Sequence, residues 1–214
     1  MKSSPERATL IGDLVGSRES ADRADLHARL GVALIEVNAL IEPVRPLWVT
    51  AGDEFQGTYA TVGDAVRASL LVRLRLLSEH DVRHGIGWGT TTVLDEASGI
   101  EDGPGWWAAR VAIESVSAAE RVASSRGLRT AYARAEDAVG PDAGLVNAAL
   151  VLRDERVSTL SDRSLSVLRG LLLGQTQRDI AAELGVSASA VSQRVRADGL
   201  AALVTAHDLV GGPR

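Results

Sequence analysis

Short apolar runs alternate with amphipathic stretches along the first two thirds of the chain. The runs have the length of strands, and the stretches between them repeat apolar residues every three to four positions, which is typical of helices. Prolines and glycines follow several helical stretches, because proline cannot continue the hydrogen-bond ladder and glycine tolerates the turn after it. In order, the pattern predicts a strand at 8–14, a helix at 22–41, strands at 47–50 and 57–59, a helix at 61–78, a strand at 83–93, a helix at 104–125 and a strand at 128–132.

This order of elements, β-α-β-β-α-β-α-β, predicts an α+β sandwich of the ferredoxin-like or palm type, in which helices cover one face of a sheet. After Pro141 the pattern becomes purely helical. We therefore predict a sandwich domain over residues 1–140, a connecting helix or linker over 141–157, and a small all-α domain over 158–214.

The C-terminal stretch alternates helix-capping residues, helices and glycines. Ser161, Thr176 and Ser187 are predicted caps, because their hydroxyls can accept hydrogen bonds from the free N–H groups of a first helical turn. Gly185 predicts a tight turn before a helix at 188–203. Two short helices around such a turn are typical of a helix-turn-helix, whose second helix enters the major groove of DNA.

The side chains expected to face DNA carry hydroxyl, amide and guanidinium groups, which suit phosphates and base edges. They are Thr176, Gln177, Ser187, Ser189, Ser192, Gln193, Arg194 and Arg196. Six arginines against five acids over 158–214 leave a net charge near +1, so we expect useful affinity to need a dimer. The segment closely resembles the helix-turn-helix of sigma-factor region 4 and of response-regulator output domains. A small helical docking or dimerisation domain is the alternative.

The composition excludes several classes of protein. The chain has 214 residues, a net charge of −5 and no cysteine, which excludes a disulfide scaffold, a cysteine-ligated metal site and thiol catalysis. Lys2 is the only lysine, so neither Schiff-base nor P-loop chemistry is expected. No apolar run approaches the roughly 18–20 residues of a membrane span, and the N-terminus lacks a signal-peptide pattern. We expect a cytoplasmic protein with no membrane partner.

Two acidic residues follow predicted strands in glycine-rich surroundings. Asp13 lies between Gly12 and Gly16 at the end of the first strand, and Asp53 follows Gly52 in a turn between the next two strands. We expect these strand ends to be neighbours, and two carboxylates at one sheet edge suit Mg²⁺ or Mn²⁺ holding a triphosphate. The residues expected to bind nucleotide or phosphate are Gly12, Gly16, Ser17, Gly52 and Arg83. For Arg83, pairing with a surface acid is an equal alternative.

Four segments in this order resemble the motifs of class III nucleotidyl cyclases. They read I-G-D-L-V-G-S at 11–17, A-G-D-E-F at 51–55, R-H-G-I-G-W-G at 83–89 and G-W-W-A-A-R at 105–110. The turn at 51–55 also resembles the G-G-D-E-F signature of diguanylate cyclases. As a whole, with the helix-turn-helix at its end, the chain resembles the SatD family.

The cyclase resemblance implies that Asp13 and Asp53 bind metal ions and that Arg110 stabilises the transition state if the protein is an enzyme. The asparagine expected four positions before that arginine is Trp106, and the lysine that reads adenine is Val49. The metal-and-phosphate half of the pattern therefore matches, whereas the half that reads the base and orients the ribose does not.

These observations favour a DNA-binding transcription regulator whose cyclase-like domain forms a homodimer and binds a nucleoside triphosphate or cyclic nucleotide with Mg²⁺ or Mn²⁺. The alternative is a divergent nucleotidyl cyclase or nucleotidyltransferase that uses two Asp-bound metal ions. Two further questions stay open. Trp106 and Trp107 either anchor the dimer or belong to the monomer core, and Glu54 is either a third metal contact or a solvated acid.

Overall fold

The computed structural model describes residues 5–17, 22–77, 79–95 and 99–211 of the chain. It forms two units, Met1–Asp154 and Glu155–Arg214. The first unit mixes strands with helices, and the described part of the second is entirely helical. Among the described residues, no helix combines the length and apolar character that crossing a membrane requires.

The N-terminal unit contains every strand and helix that the apolar pattern predicts, with shifted ends. Its elements are β1 (Glu6–Leu14), α1 (Arg23–Leu40), β2 (Arg45–Ala51), β3 (Glu54–Tyr59), α2 (Val62–Leu76), β4 (Val82–Thr90), β5 (Thr92–Asp95), β6 (Ile100–Asp102), α3 (Pro104–Ala119), a 3₁₀ helix (Ala123–Ser125), β7 (Thr130–Arg134) and α4 (Ala143–Ser158), which continues into the second unit.

Three boundaries differ from the prediction by more than two residues. Strand β3 begins at Glu54, because only two residues separate it from β2. The predicted strand at 83–93 is β4 followed by β5, whose side chains are all exposed and so leave no alternating pattern to detect. Helix α3 ends at Ala119, six residues before its predicted end at residue 125. The predicted end of the second helix, Ser78, lies outside the described residues.

Five strands form one sheet in the order β2-β3-β1-β4-β7. Strand β1 is antiparallel to both β3 and β4, and β4 is parallel to β7. The register places Gly12 beside Phe55 on one side and beside His84 on the other. As a result, the carboxyl end of β1 lies between the hairpin turn of β2 and β3 and the start of β4. Strands β5 and β6 form a separate two-stranded sheet.

Helices cover both faces of the large sheet, so the expectation of one covered face is wrong. Ile11 of β1 packs with Ala109 and Ile113 of α3. Successive strand residues point to opposite faces, so the preceding residue, Leu10, points to the other face, where α1 and α2 lie. Helix α3 can approach so closely because β4 carries glycine at alternate positions. A Cβ atom at Gly85 would collide with the backbone of α3.

Both edge strands of the sheet are closed by an asparagine from a helix. Asn38 of α1 donates from Nδ2 to the carbonyl of Leu47 at 3.0 Å and accepts from the Leu47 N–H at 2.8 Å. Asn147 of α4 does the same at Tyr132, with distances of 2.8 and 2.9 Å. Each side-chain amide thus takes the place of a neighbouring strand and satisfies backbone groups that an edge would leave free.

His84 of β4 is fully buried beneath α2, and neither of its ring nitrogens has a hydrogen-bond partner among the residues that the structure describes. Its ring meets Phe55 edge-on, with the two centroids 5.8 Å apart. Burial, reinforced by the charges of Arg153 and Arg73, lowers the pKa of His84 to about 3, against the opposing charge of Asp81. The histidine is therefore neutral in the folded protein.

The C-terminal unit contains the four helices α5 (Asp162–Leu172), α6 (Gln177–Leu184), α7 (Ala188–Ala197) and α8 (Leu200–Val210). Ser161, Thr176 and Ser187 cap the first three with their side chains, which confirms the predicted caps. The predicted helix at 188–203 is divided between α7 and α8, because Gly199 adopts a left-handed conformation with φ of 61°.

We expect Asn147→Ala to reduce the free energy of unfolding by about 1–3 kcal/mol, since it leaves a buried N–H and C=O of Tyr132 without partners. Asn38→Ala should cost a similar amount at Leu47. Urea unfolding followed by circular dichroism measures both. Ile35→Ala, at a position that is 71 % exposed on α1, is the control and should change little. Equal stabilities for all three variants would contradict this role of the asparagines.

We also expect the N-terminal unit to lose stability as the pH falls below about 6.5. The unfolded chain then protonates His84 whereas the folded one does not, which costs about 1.4 kcal/mol per pH unit until the folded pKa of about 3 is reached. Urea unfolding at pH 7.5 and pH 5 should show this difference in the wild type. His84→Leu should remove most of it, and an unchanged pH dependence in that variant would exclude His84 as the cause.

Candidate functional site

Asp13 is held by an arginine on the neighbouring strand. The β1–β4 register places Arg83 directly opposite it. The Nε of Arg83 donates to Oδ1 of Asp13 at 2.9 Å, and Nη2 donates to Oδ2 at 2.8 Å. Burial raises the pKa of Asp13 above its ordinary value, although Arg83 acts in the opposite direction. Both carboxylate oxygens of the predicted metal ligand are therefore bound by one guanidinium group.

The same arginine begins a chain of alternating charges that ends on α4. The successive links are Arg83–Glu120 at 3.0 Å, Glu120–Arg129 at 3.3 Å, Arg129–Asp81 at 2.6 Å, Asp81–Arg73 at 2.8 Å, Arg73–Asp154 at 3.5 Å and Asp154–Arg153 at 2.9 Å. In the middle of this chain, burial acts to raise the pKa of Asp81, but the neighbouring charges of Arg73 and Arg129 outweigh it and hold that pKa below its usual value.

The predicted catalytic arginine also has a carboxylate partner. Arg110 donates from Nη1 and Nη2 to the two carboxylate oxygens of Glu54, at 3.1 and 3.0 Å. Both carboxylate oxygens of Glu54 are thus paired with one guanidinium group. Asp53 lies beside it in the turn, close enough to Asp13 that its charge contributes to the raised pKa of Asp13. The two predicted metal ligands therefore do converge.

The predicted phosphate-binding glycines have different structural reasons. A Cβ atom at Gly12 would overlap the ring of Phe55, so glycine at this position makes room for a core side chain. Gly16 and Gly52 have φ of 70° and 62° and open space around them, so glycine serves the turn conformation there. Ser17 is buried, with 7 % exposure.

The two tryptophans of α3 have separate environments. Trp106 is buried and packs with Ile11, although its indole N–H has no hydrogen-bond partner in the described part of the chain. It therefore belongs to the core of this unit. Trp107 is 60 % exposed and donates from Nε1 to Asp102 at 2.8 Å. Asp102 also accepts from the N–H of Gly103 at 2.7 Å, which orders the turn before α3.

Mg²⁺ or Mn²⁺ does not fit this arrangement as it stands. Among the residues that the structure describes, no group of three or more histidine, aspartate or glutamate side chains could hold a metal ion. Asp13 has both oxygens on Arg83, and Glu54 has both on Arg110. A divalent cation at Asp13 would have to displace Arg83, so metal binding stays a prediction.

The C-terminal unit presents most of the residues that were expected to face DNA. Ser187, Ser189, Gln193 and Arg196 are exposed along α7, and Ser192 is half-buried. Thr176 and Gln177 are exposed at the start of α6, where Thr176 forms a reciprocal capping box with Asp179. Arg178 follows them, also exposed. Arg178 was not among the predicted DNA contacts, although its position in the first turn of α6, directly after Thr176 and Gln177, would have indicated it.

Arg194 is engaged within the C-terminal unit. Its Nη1 donates to the hydroxyls of Ser164 at 2.9 Å and Ser161 at 3.3 Å, and lies 3.7 Å from a carboxylate oxygen of Asp198. These contacts tie α7 to the start of α5. A DNA contact by Arg194 would require it to leave them, whereas Arg196 points to solvent without such partners in the described part of the unit.

The sequence model of the SatD family matches residues 8–209, which is nearly the whole chain. No curated protein matches the chain in sequence.

If Asp13 and Asp53 bind a divalent cation, Arg83→Gln should tighten Mn²⁺ binding by at least about tenfold, because it removes a competing charged hydrogen-bond partner worth about 1.5–3 kcal/mol. Titration of Mn²⁺ monitored by electron paramagnetic resonance measures this without a nucleotide. Arg67→Gln, in the remote pair with Asp64, is the matched control. Absence of Mn²⁺ binding in both variants would rule out a metal site at Asp13.

Proposed function

The chain belongs to the SatD family, and we propose that it is a DNA-binding transcription regulator. In this proposal the C-terminal unit binds double-stranded DNA through α6 and α7. The N-terminal unit joins two copies into a homodimer and binds a regulatory nucleotide.

The arrangement of α6 and α7 carries the proposal. Gly185 follows α6 in a left-handed conformation with φ of 65°, and Ser187 caps α7 two residues later. Ile180 on α6 and Val191 on α7 are buried, which fixes the two helices against each other. This supports the interpretation of a helix-turn-helix, because a short turn and a small apolar contact are what that motif requires.

The chemistry of the outer surface of α7 agrees with DNA as the ligand. Gln193 and Arg196 offer an amide and a guanidinium group, which bind base edges and phosphates. Ser189 near the start of the helix offers a hydroxyl group. At the start of α6, Arg178 adds a positive charge suited to phosphate. The net charge near +1 over 158–214 makes a homodimer the expected DNA-binding form.

The N-terminal unit supports a nucleotide-binding role more weakly. Its strand order β2-β3-β1-β4 in a β-α-β-β-α-β sequence favours the ferredoxin-like or palm-type interpretation. Asp13, Asp53, Arg83 and Arg110 converge at one end of β1, which keeps a divergent nucleotidyl cyclase with two metal ions as the second candidate. The pairing of Asp13 with Arg83 favours the regulator, because it occupies one of the two carboxylates that catalysis would need.

We expect the full-length protein to bind genomic DNA fragments with an affinity that falls steeply between about 50 and 200 mM salt. Each arginine that contacts a phosphate contributes about 0.9 to the slope of log K against log salt concentration. Arg196→Ala should therefore lower that slope by about 0.9 for each Arg196 side chain that contacts a phosphate. Fluorescence anisotropy at several salt concentrations measures this slope.

Two controls separate DNA contact from folding. Arg121→Ala removes an exposed charge from the N-terminal unit and should leave the slope unchanged. Arg194→Ala should reduce the stability of the C-terminal unit, because it breaks the contacts with Ser161 and Ser164. Wild-type protein that shows no salt-sensitive DNA binding at 50 mM salt, or a slope that Arg196→Ala leaves intact, would contradict the regulator.

A further inference from the structure

Helix α4 is apolar on two opposite faces. Leu150 on its inner face is buried, with an exposure of 2 %. Leu145 and Leu152 on its outer face are 75 % and 74 % exposed. Contiguous exposed apolar side chains mark interaction surfaces, so the outer face has the character of an interface.

The outer face forms one stripe with a symmetric sequence. Leu145, Ala148, Ala149 and Leu152 are all exposed and follow the spacing i, i+3, i+4, i+7, which places them on one side of the helix. The stripe reads Leu-Ala-Ala-Leu in both directions along the chain. A two-fold interface brings the same patch of two copies together and must therefore be self-complementary. This stripe meets that condition when two helices run antiparallel.

We propose that two copies of this chain pair through the outer stripe of α4, with the two helices antiparallel. The symmetry axis passes between Ala148 and Ala149, so Leu145 of one copy packs against Leu152 of the other. The small alanines at the crossing point let the two backbones approach, since the distance between packed helices depends on the side chains at their contact.

This pairing rests on the homodimer of the proposed function and gives that dimer a surface. Burial excludes Trp106 of α3 as an anchor of the dimer, whereas Trp107, whose indole N–H is bound to Asp102, is 60 % exposed and stays the competing anchor. Four leucines and four alanines form a smaller contact than the roughly 800 Å² per partner of a standard interface. The dimer is therefore expected to be concentration-dependent, with dissociation in the micromolar range.

The absence of cysteine from the chain makes single-cysteine variants a clean test. Ala148→Cys and Ala149→Cys lie next to the axis and should each form a disulfide-linked dimer under mild oxidation. Leu145→Cys mixed with Leu152→Cys should give the mixed dimer. Leu145→Cys alone and Leu152→Cys alone should each link poorly. In either variant the two equivalent cysteines of a dimer would lie about 10 Å apart along the helix axis, beyond the roughly 7 Å limit between Cα atoms in a disulfide.

Ile35→Cys is the matched control, an aliphatic residue of α1 that is 71 % exposed. Equal cross-linking of this variant would show random collision and overturn the proposal. Self-linking of Leu145→Cys without the mixed dimer would overturn the antiparallel arrangement.

Sedimentation supplies an independent measurement. Leu145→Glu with Leu152→Glu should raise the dimer dissociation constant at least tenfold and leave the urea midpoint unchanged, whereas Ile35→Glu should alter neither. If the double variant is a monomer with a lower urea midpoint and the cysteine variants fail to link, the stripe is covered within one chain and the proposal is wrong.

The outcomes also separate this interface from the proposed function. If the double variant stays a dimer and Trp107→Glu dissociates it, the interface is wrong but the homodimer stands. A wild-type protein that sediments as a monomer up to about 100 µM, well above a micromolar dissociation constant, overturns both. Cross-linking through α4 in a protein that binds no DNA supports the interface and contradicts the regulator.

Discussion

Arg73 lies inside the N-terminal unit with 1 % of its side chain exposed, and two acids from other parts of the unit pair its charge. An unpaired buried charge costs several kcal/mol, and breaking a buried pair leaves that penalty in place. Asp81 and Asp154 neutralise Arg73, and each is shared with a further arginine, Arg129 or Arg153. Four arginines and four carboxylates thereby connect β1, β4, α3, β7, α2 and α4.

This chain of charges determines what the candidate site offers to a ligand. Arg83 stands at its outer end, between Asp13 and Glu120. Where a metal-dependent enzyme would present free carboxylates, this site has Asp13 paired with Arg83 and Glu54 paired with Arg110. A cation that binds Asp13 would therefore have to compete with Arg83 for its carboxylate oxygens.

The large sheet shows how helices both build it and close it. Glycines at alternate positions of β4 let α3 lie directly on one face, and asparagines of α1 and α4 each satisfy the backbone N–H and C=O of one residue in an edge strand. Helix α4 therefore closes β7, pairs with the buried arginine through Asp154 and continues into the helical unit. Its outer stripe, Leu145, Ala148, Ala149 and Leu152, takes part in none of these contacts.

Local physics made much of this protein predictable from its sequence. Apolar periodicity predicted the principal strands and helices of both units, and Ser161, Thr176, Ser187 and Gly185 predicted caps and a turn, because caps and left-handed turns depend on neighbouring backbone groups. The convergence of Asp13 and Asp53 followed from the order of strands. The tertiary structure alone decided what those acids touch. Arg83 lies 70 residues from Asp13 in the sequence, and whether it meets a phosphate or a carboxylate depends on the strand register. The exposed stripe of α4 was likewise not predictable from the sequence, because the sequence does not show which apolar face of a helix packs on the core and which one contacts solvent.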